Sequence, residues 1–204
     1  VSLTELLASD GVEEICELRS RFGFMAFHGG SLEQVTDVIA SRAAAAAGAS
    51  YYGIVQTGPP RHLASTQLDP AESSALRRFL DHVEVVITVH GYGRWGLWTT
   101  LLLGGGNRRL AHLVRDCLGD RLPDYTLAVE LDDIPKELRG LHPRNPVNLP
   151  VHGGVQLELP PRVRGRTPHY ADWPAGELVP PTVALIDGLV EAATRWPLRE
   201  PDAR

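Results

Sequence analysis

The chain has 204 residues, enough for one domain with a sizeable core. Its 43% hydrophobic and 22% charged content is ordinary for a globular protein, and no apolar run approaches the roughly 20 residues of a membrane span. A net charge of −5 argues against nucleic acid as a partner.

Leu3 to Leu18 reads as one or two short helices broken near Gly11. Phe22 to Phe27 is the first strand, and it runs straight into His28-Gly29. Ser31-Leu32-Glu33-Gln34 then reads as a capping box, Ser31 as N-cap and Gln34 as its partner. The helix that follows carries Leu32, Val35, Val38 and Ile39 at helical spacing, with Glu33 in its first turn. An alanine tract continues it to Gly48, a suitable stop. Tyr51 to Gln56 suits a second strand, broken by Gly58-Pro59-Pro60, and Leu63 to Thr66 a short extended piece. Pro70 to His82 is a helix. Glu84 to Val89 is the strongest strand, and it too ends at a histidine and a glycine, His90-Gly91.

Trp98 to Leu103 is an apolar run closed by Gly104-Gly105-Gly106, after which Asn107 caps a helix through Leu118. Tyr125 to Val129 is a further strand, Asp133 to Arg139 a helical turn, and Gly140 to Leu149 a loop. Val155 to Leu159 alternates apolar and polar residues, so Gln156 and Glu158 share one strand face. Pro160 to Glu177 is a long surface loop. Thr182 to Trp196 is an amphipathic helix with a stripe of Leu185, Ile186, Leu189, Val190 and Ala193. There is no repeat and no linker. Residues 1–204 read as a single α/β domain with a mixed, mostly parallel sheet between helices.

Cys16 and Cys117 form no metal motif and no disulfide framework; both fall in helix-like stretches and read as buried free thiols. Val1 to Glu5 has no basic segment leading into an apolar one, so the cytoplasm, or release on lysis, is the expected location. A monomer is expected.

The repeated strand-His-Gly pattern carries the chemistry. Ligands bind in the crevice outside the carboxyl ends of parallel strands. Two histidines delivered to that edge can meet although 62 residues apart in sequence. His28, His90 and the carboxylate of Glu33 make a zinc set of three protein ligands with one open position, one Zn2+ per chain. Glu158 sits near the end of an otherwise apolar strand, where a carboxylate is costly unless a charge nearby holds it. It is the expected base: it takes a proton from water activated by the metal, and returns it to the leaving amine of a cleaved amide. Only Lys136 is a lysine, so arginine supplies the other 19 cations. Arg108, Arg144, Arg162 and Arg164, with Asn145, are candidates for gripping a substrate carboxylate.

Six blocks carry a family resemblance, in order: Phe27-His28-Gly29-Gly30-Ser31-Leu32-Glu33, Tyr51-Tyr52-Gly53, Arg61 to Thr66, Val89-His90-Gly91, Gly104 to Asn107, and Gly154 to Leu159 with Arg162 to Arg164. Over roughly residues 20 to 170 the chain resembles the poly-γ-glutamate hydrolase family, a group of phage-associated zinc hydrolases. The resemblance implies a fold similar to zinc carboxypeptidases. It implies zinc at His28, Glu33 and His90, a catalytic glutamate at Glu158, and cleavage of γ-glutamyl amide bonds in an anionic polymer. His62 lies in a matching block and is expected behind the ligands rather than on the metal. Two features depart from the family: the aromatic segment Gly91 to Trp98, and an acidic balance that does not help to capture a polyanion.

Two other functions compete. A zinc amidohydrolase or carboxypeptidase-like enzyme acting on a small acyl-amino acid or peptide would use the same residues. A phosphate- or nucleotide-binding module would use the Gly104 to Gly106 loop and the helix N-terminus behind it. Its fingerprint is incomplete, because Arg109 stands where a glycine is needed. No G-x-S-x-G elbow and no H-E-x-x-H occurs.

Overall fold

The computed structural model describes residues 1–197. In chain order the elements are α1 (Leu3–Leu7), β1 (Val12–Glu17), β2 (Phe22–Gly30), α2 (Thr36–Ala47), β3 (Ser50–Gln56), α3 (Ser74–His82), β4 (Val85–Gly91), β5 (Thr100–Leu103), α4 (Arg108–Gly119), β6 (Thr126–Ala128), β7 (Gly154–Leu159) and α5 (Pro180–Arg195). Single 3₁₀ turns lie in the connections, among them Ser65–Gln67, Lys136–Leu138 and Pro146–Asn148.

The seven strands form one sheet in the order β1-β3-β2-β4-β7-β5-β6. β3–β2, β2–β4, β4–β7 and β5–β6 pair in parallel, while β1–β3 and β5–β7 are antiparallel. The mixed, mostly parallel sheet is therefore the one expected. Its central strands are buried on both faces, which is why they read as continuous apolar runs. On one face Ile39 of α2, Leu110 and Val114 of α4, and Leu185 and Leu189 of α5 pack against Phe24, Ile87, Val155 and Leu157. On the other, Leu3 and Leu6 of α1 and Leu76 and Phe79 of α3 pack against Met25, Phe27, Tyr52 and Val86. Among the described residues no helix is long and apolar enough to cross a membrane.

Several expectations need correction. Val12 to Glu17 is an edge strand, not helix, so Cys16 lies on β1. The polar Glu14 packs toward the α3 side: its Oε1 accepts the Tyr52 hydroxyl at 2.6 Å, and the Ser73 hydroxyl donates to the same oxygen. Only the tertiary fold supplies those partners. The Ser31 capping box does not form either. Ser31 turns away to donate its hydroxyl to the Gly58 carbonyl at 2.7 Å, and α2 starts later, at Thr36. Val35 ahead of it has φ of 78°, a left-handed conformation a β-branched residue rarely takes. Glu33 thus belongs to a strained loop rather than to a helical turn. The Pro70 helix is in fact a 3₁₀ turn followed by α3, which Ser73 caps. The Gly48 stop and the Asn107 cap form as read.

Two glycines with positive φ give a stability test. Nothing lies within 4 Å of a Cβ placed on Gly48, whereas one on Gly30 would stand 2.1 Å from the Gln56 carbonyl oxygen. Gly48→Ala should cost about 1 kcal/mol, the left-handed penalty alone. Gly30→Ala should cost at least about twice that, because β3 backbone must move. Urea denaturation midpoints measure both; equal losses would contradict the packing described.

Candidate metal centre

β2, β4 and β7 are adjacent in the sheet and parallel, so their carboxyl ends share one edge. Side-chain alternation decides what each presents there. On β4, Val85, Ile87 and Val89 face the α2 side and Val86 the α3 side, so His90 projects toward α3. On β7, Val155, Leu157 and Leu159 face α2, which leaves Gln156 and Glu158 on the α3 side. His90 and Glu158 are direct register partners.

Strict alternation would send His28 to the wrong face. Phe27 packs on the α3 side, so the next residue should point toward α2. The β2–β3 pairing slips between Ala26, opposite Gly53, and Gly29, opposite Val55. Phe27 and His28 together oppose Ile54, a bulge that re-aims one side chain. His28 emerges beside His90, ring centroids 5.1 Å apart.

The loop after β2 brings in Glu33. Its backbone N–H donates to the His28 carbonyl at 2.7 Å, folding the loop back on the strand end. Glu33 Oε1 then lies 2.7 Å from His28 Nδ1. Glu33 Oε2 accepts the Gly91 N–H at 2.8 Å and stands 3.5 Å from His90 Nδ1. Burial alone would raise the Glu33 pKa, but the His28 and His90 imidazoles override it and hold the carboxyl well below the usual range. Burial pulls His90 down and Glu33 more than compensates, so its pKa is raised.

A chain of contacts orients His28. Gln56 at the end of β3 accepts the Arg61 N–H at 2.8 Å and donates to the Arg61 carbonyl at 3.0 Å, pinning the loop that follows. The Leu63 carbonyl in that loop lies 2.9 Å from His28 Nε2, which must carry the proton to donate to it. A neutral His28 then aims a lone pair, on Nδ1, at a carboxylate. That contact needs a positive charge: a second proton, or a cation shared by the two groups.

The donor set fits a cation. One ligand atom each from His28, Glu33 and His90 lie within 4.8 Å of one another, and two ligands of one zinc ion are typically about 3.4 Å apart. His90 Nε2 is buried without a hydrogen-bond partner. The three residues open on a cleft of about 570 Å³, which Glu158 and Gln156 also line.

Glu158 is 5% exposed and accepts a hydrogen bond from Gln156 Nε2 at 2.8 Å. Gln156 Oε1 in turn accepts from Asn145 Nδ2 at 2.7 Å. Burial raises the Glu158 pKa; His90 opposes the rise and the Glu33 charge adds to it. The carboxyl is thereby suited to hold a proton as well as to release one.

The remaining candidates scatter. Asn145 lines the cleft, but as a buried support for Gln156. His62 lines it too, exposed, its ring 5.0 Å from that of His28; the group that holds His28 is the carbonyl of the next residue, Leu63. Burial lowers the His62 pKa, and the neighbouring His28 adds to the effect. Arg144 lies in an adjoining groove with Thr66 and Pro143. Arg108 and Arg162 lie outside the cleft; Arg108 donates to the Gly105 carbonyl at 3.1 Å and to that of Val129. The cation that does line it is Lys136, and His142, which no spacing singled out, lines it too.

Arg164 also lies outside the cleft but binds its frame together. Its guanidinium donates to the carbonyls of Leu159 at 3.3 Å, Gln34 at 2.9 Å and Tyr92 at 3.5 Å. Leu159 and Gln34 adjoin Glu158 and Glu33 in sequence, and Tyr92 lies two residues beyond His90. The fit requires Gly91, where a Cβ would stand 2.7 Å from Arg164 Cζ. The phosphate-loop alternative is overturned. The N–H groups of Gly104, Gly105, Gly106 and Asn107 all go to protein acceptors, at 2.8, 2.7, 3.0 and 3.0 Å, leaving none for an anion.

The family model described as poly-gamma-glutamate hydrolase matches residues 3–168. A solved bacteriophage poly-gamma-glutamate hydrolase superposes with a TM-score of 0.74 at 20% identity, covering 89% of this chain and 87% of its own. A structure of zinc-free YNDL superposes with a TM-score of 0.72, also at 20% identity, over 92% and 93% of the two chains. A metallo-carboxypeptidase from Burkholderia cenocepacia gives 0.51 at 10% identity, over 93% of this chain and 66% of its own. At such identities the likeness is one of fold. No curated protein matches the chain.

The Arg164 clamp generates a prediction. Arg164→Ala should lower zinc affinity about tenfold or more, read by competition with a chromogenic chelator. Gly91→Ala, which evicts the same guanidinium, should do likewise, and the double variant should fall little further. Additive losses would mean that the two residues act separately.

Proposed function

The chain belongs to the poly-gamma-glutamate hydrolase family, and from that premise we propose that it is a zinc-dependent hydrolase of γ-glutamyl amide bonds, acting on poly-γ-glutamate. One observation carries the reading: three donors, His28, Glu33 and His90, converge from two strand ends and one loop, with the Glu158 carboxyl alongside them in the same cleft. His28, Glu33 and His90 would hold the ion, and zinc bound there would supply a Lewis acid and a water that ionises near neutral pH.

The chain's own groups do the rest. Glu158 accepts the proton of the attacking water and delivers it to the leaving nitrogen. Its place opposite His90 in the β4–β7 register keeps it beside the ligands without joining them. Gln156, itself held by Asn145, fixes which Glu158 oxygen is free. The Leu63 carbonyl holds His28 in the tautomer with Nδ1 available. The rival substrate, a small acyl-amino acid or peptide, would use this machinery unchanged. The polymer is preferred because the family match spans residues 3–168, a range that includes His28, Glu33, His90 and Glu158.

The experiment is a digest of poly-γ-glutamate and of a short γ-glutamyl peptide by protein assayed for metal content. About one zinc per chain, cleavage of the polymer and its loss on chelation are expected. Glu158→Gln should keep the metal and lose about 10²–10⁴-fold in kcat. Cleavage that survives complete metal removal would sink the zinc reading; near-normal turnover by Glu158→Gln would remove that residue from the chemistry.

A further inference from the structure

The cleft is badly charged for a polyanion. Its lining carries three carboxylates, Glu33, Glu137 and Glu158, against one lysine, Lys136. An ion of charge +2 would do little more than neutralise it. On the other side of the sheet edge, between α2 and the segment leading into α5, lies a second cavity of about 670 Å³. Arg42, Arg164 and Arg166 line it, and Glu177 is the one acid among its lining residues. We propose that this cavity is a carboxylate-binding subsite that holds the substrate chain beyond the amide being cut. The proposal rests on the polymer reading above and extends it.

Three observations support it. Acidic residues outnumber lysine and arginine by 25 to 20, and Arg19, Arg94, Arg115, Arg121, Arg139 and Arg195 all have carboxylate partners. Among the described residues the Arg42 and Arg166 guanidiniums have neither an ion pair nor a hydrogen bond, although they line one cavity. Like charges gathered around a hollow focus a positive field into it and favour entry of an anion. Guanidinium forks match carboxylates bidentately.

The second observation is position. Arg164 lines this cavity, and its guanidinium lies against Gly91, which lines the cleft. One side chain therefore separates the two, and a chain in the cleft passes over Arg164 to reach Arg42 and Arg166. The third is the lining itself. Thr167 Oγ1 is buried there without a partner, and Tyr170 and Trp173, ring centroids 6.1 Å apart, offer apolar surface for the methylenes between carboxylates.

Arg42→Gln/Arg166→Gln tests the subsite, and both side chains are exposed enough for the fold to tolerate the change. With zinc-loaded protein, KM for long poly-γ-glutamate should rise about tenfold. Its kcat, and kcat/KM on a γ-glutamyl dipeptide amide, should stay within about twofold of wild type. An unchanged polymer KM, or an equal loss on both substrates, would overturn the proposal. Binding of fluorescently labelled poly-γ-glutamate to the Glu158→Gln protein, with and without the two arginine changes, separates this from the activity itself. Should the wild type cleave neither substrate, the hydrolase reading has failed. Arginine-dependent binding would still support the subsite, and binding indifferent to the arginines would remove it.

Discussion

A carboxylate enclosed by two imidazoles at the rim of a sheet organises this molecule. Glu33 is largely removed from water, and a charge so placed is tolerated only where positive or hydrogen-bonding groups surround it. His28, His90 and the Gly91 N–H supply those groups. They come from two strands, β2 and β4, so the demand of one side chain dictates how β2, β4 and the loop after β2 must meet. The left-handed Val35 is part of the cost, because the loop must reverse before α2 can begin.

Support for the three candidate donors comes largely from main-chain groups and from side chains outside the proposed chemistry. The Leu63 carbonyl orients one histidine, and Gln56 fixes the loop that delivers it. Asn145 and Gln156 steady Glu158 from the other flank. Arg164 joins the backbones beside all three elements. Such sites are set by the rigidity of their surroundings as much as by the identity of their ligands.

Much of this was legible in the sequence, and the rest was hidden for physical reasons. The two strand-His-Gly endings gave away β2, β4 and the edge where they meet, because continuous apolar runs and glycine punctuation are local signals. The alternation of Val155 to Leu159 placed Gln156 and Glu158 on one face correctly. By contrast, no pattern announces the bulge at Phe27-His28: it exists only relative to Ile54 on another strand. β1 was misread because Glu14 looks solvent-facing until Tyr52 and Ser73 are in place. The Ser31 capping box matched its motif and lost to a competing acceptor, the Gly58 carbonyl. Among the arginines, composition marked candidates but not destinations. Arg108 went to backbone carbonyls, and Arg164 became a brace on the rim between two cavities.

Strand order also governs how the protein comes into being. β7 is inserted between β4 and β5, in the interior of the sheet, although the six other strands of the described residues all precede it in the chain. A ribosome therefore releases His28, Glu33 and His90 well before Glu158. A nascent or prematurely terminated chain carries the donors for an ion and lacks both the acid beside them and the strand that closes the sheet. On the proposed reading, the proton carrier is therefore the final piece to arrive, and a chain cut short before β7 would lack it.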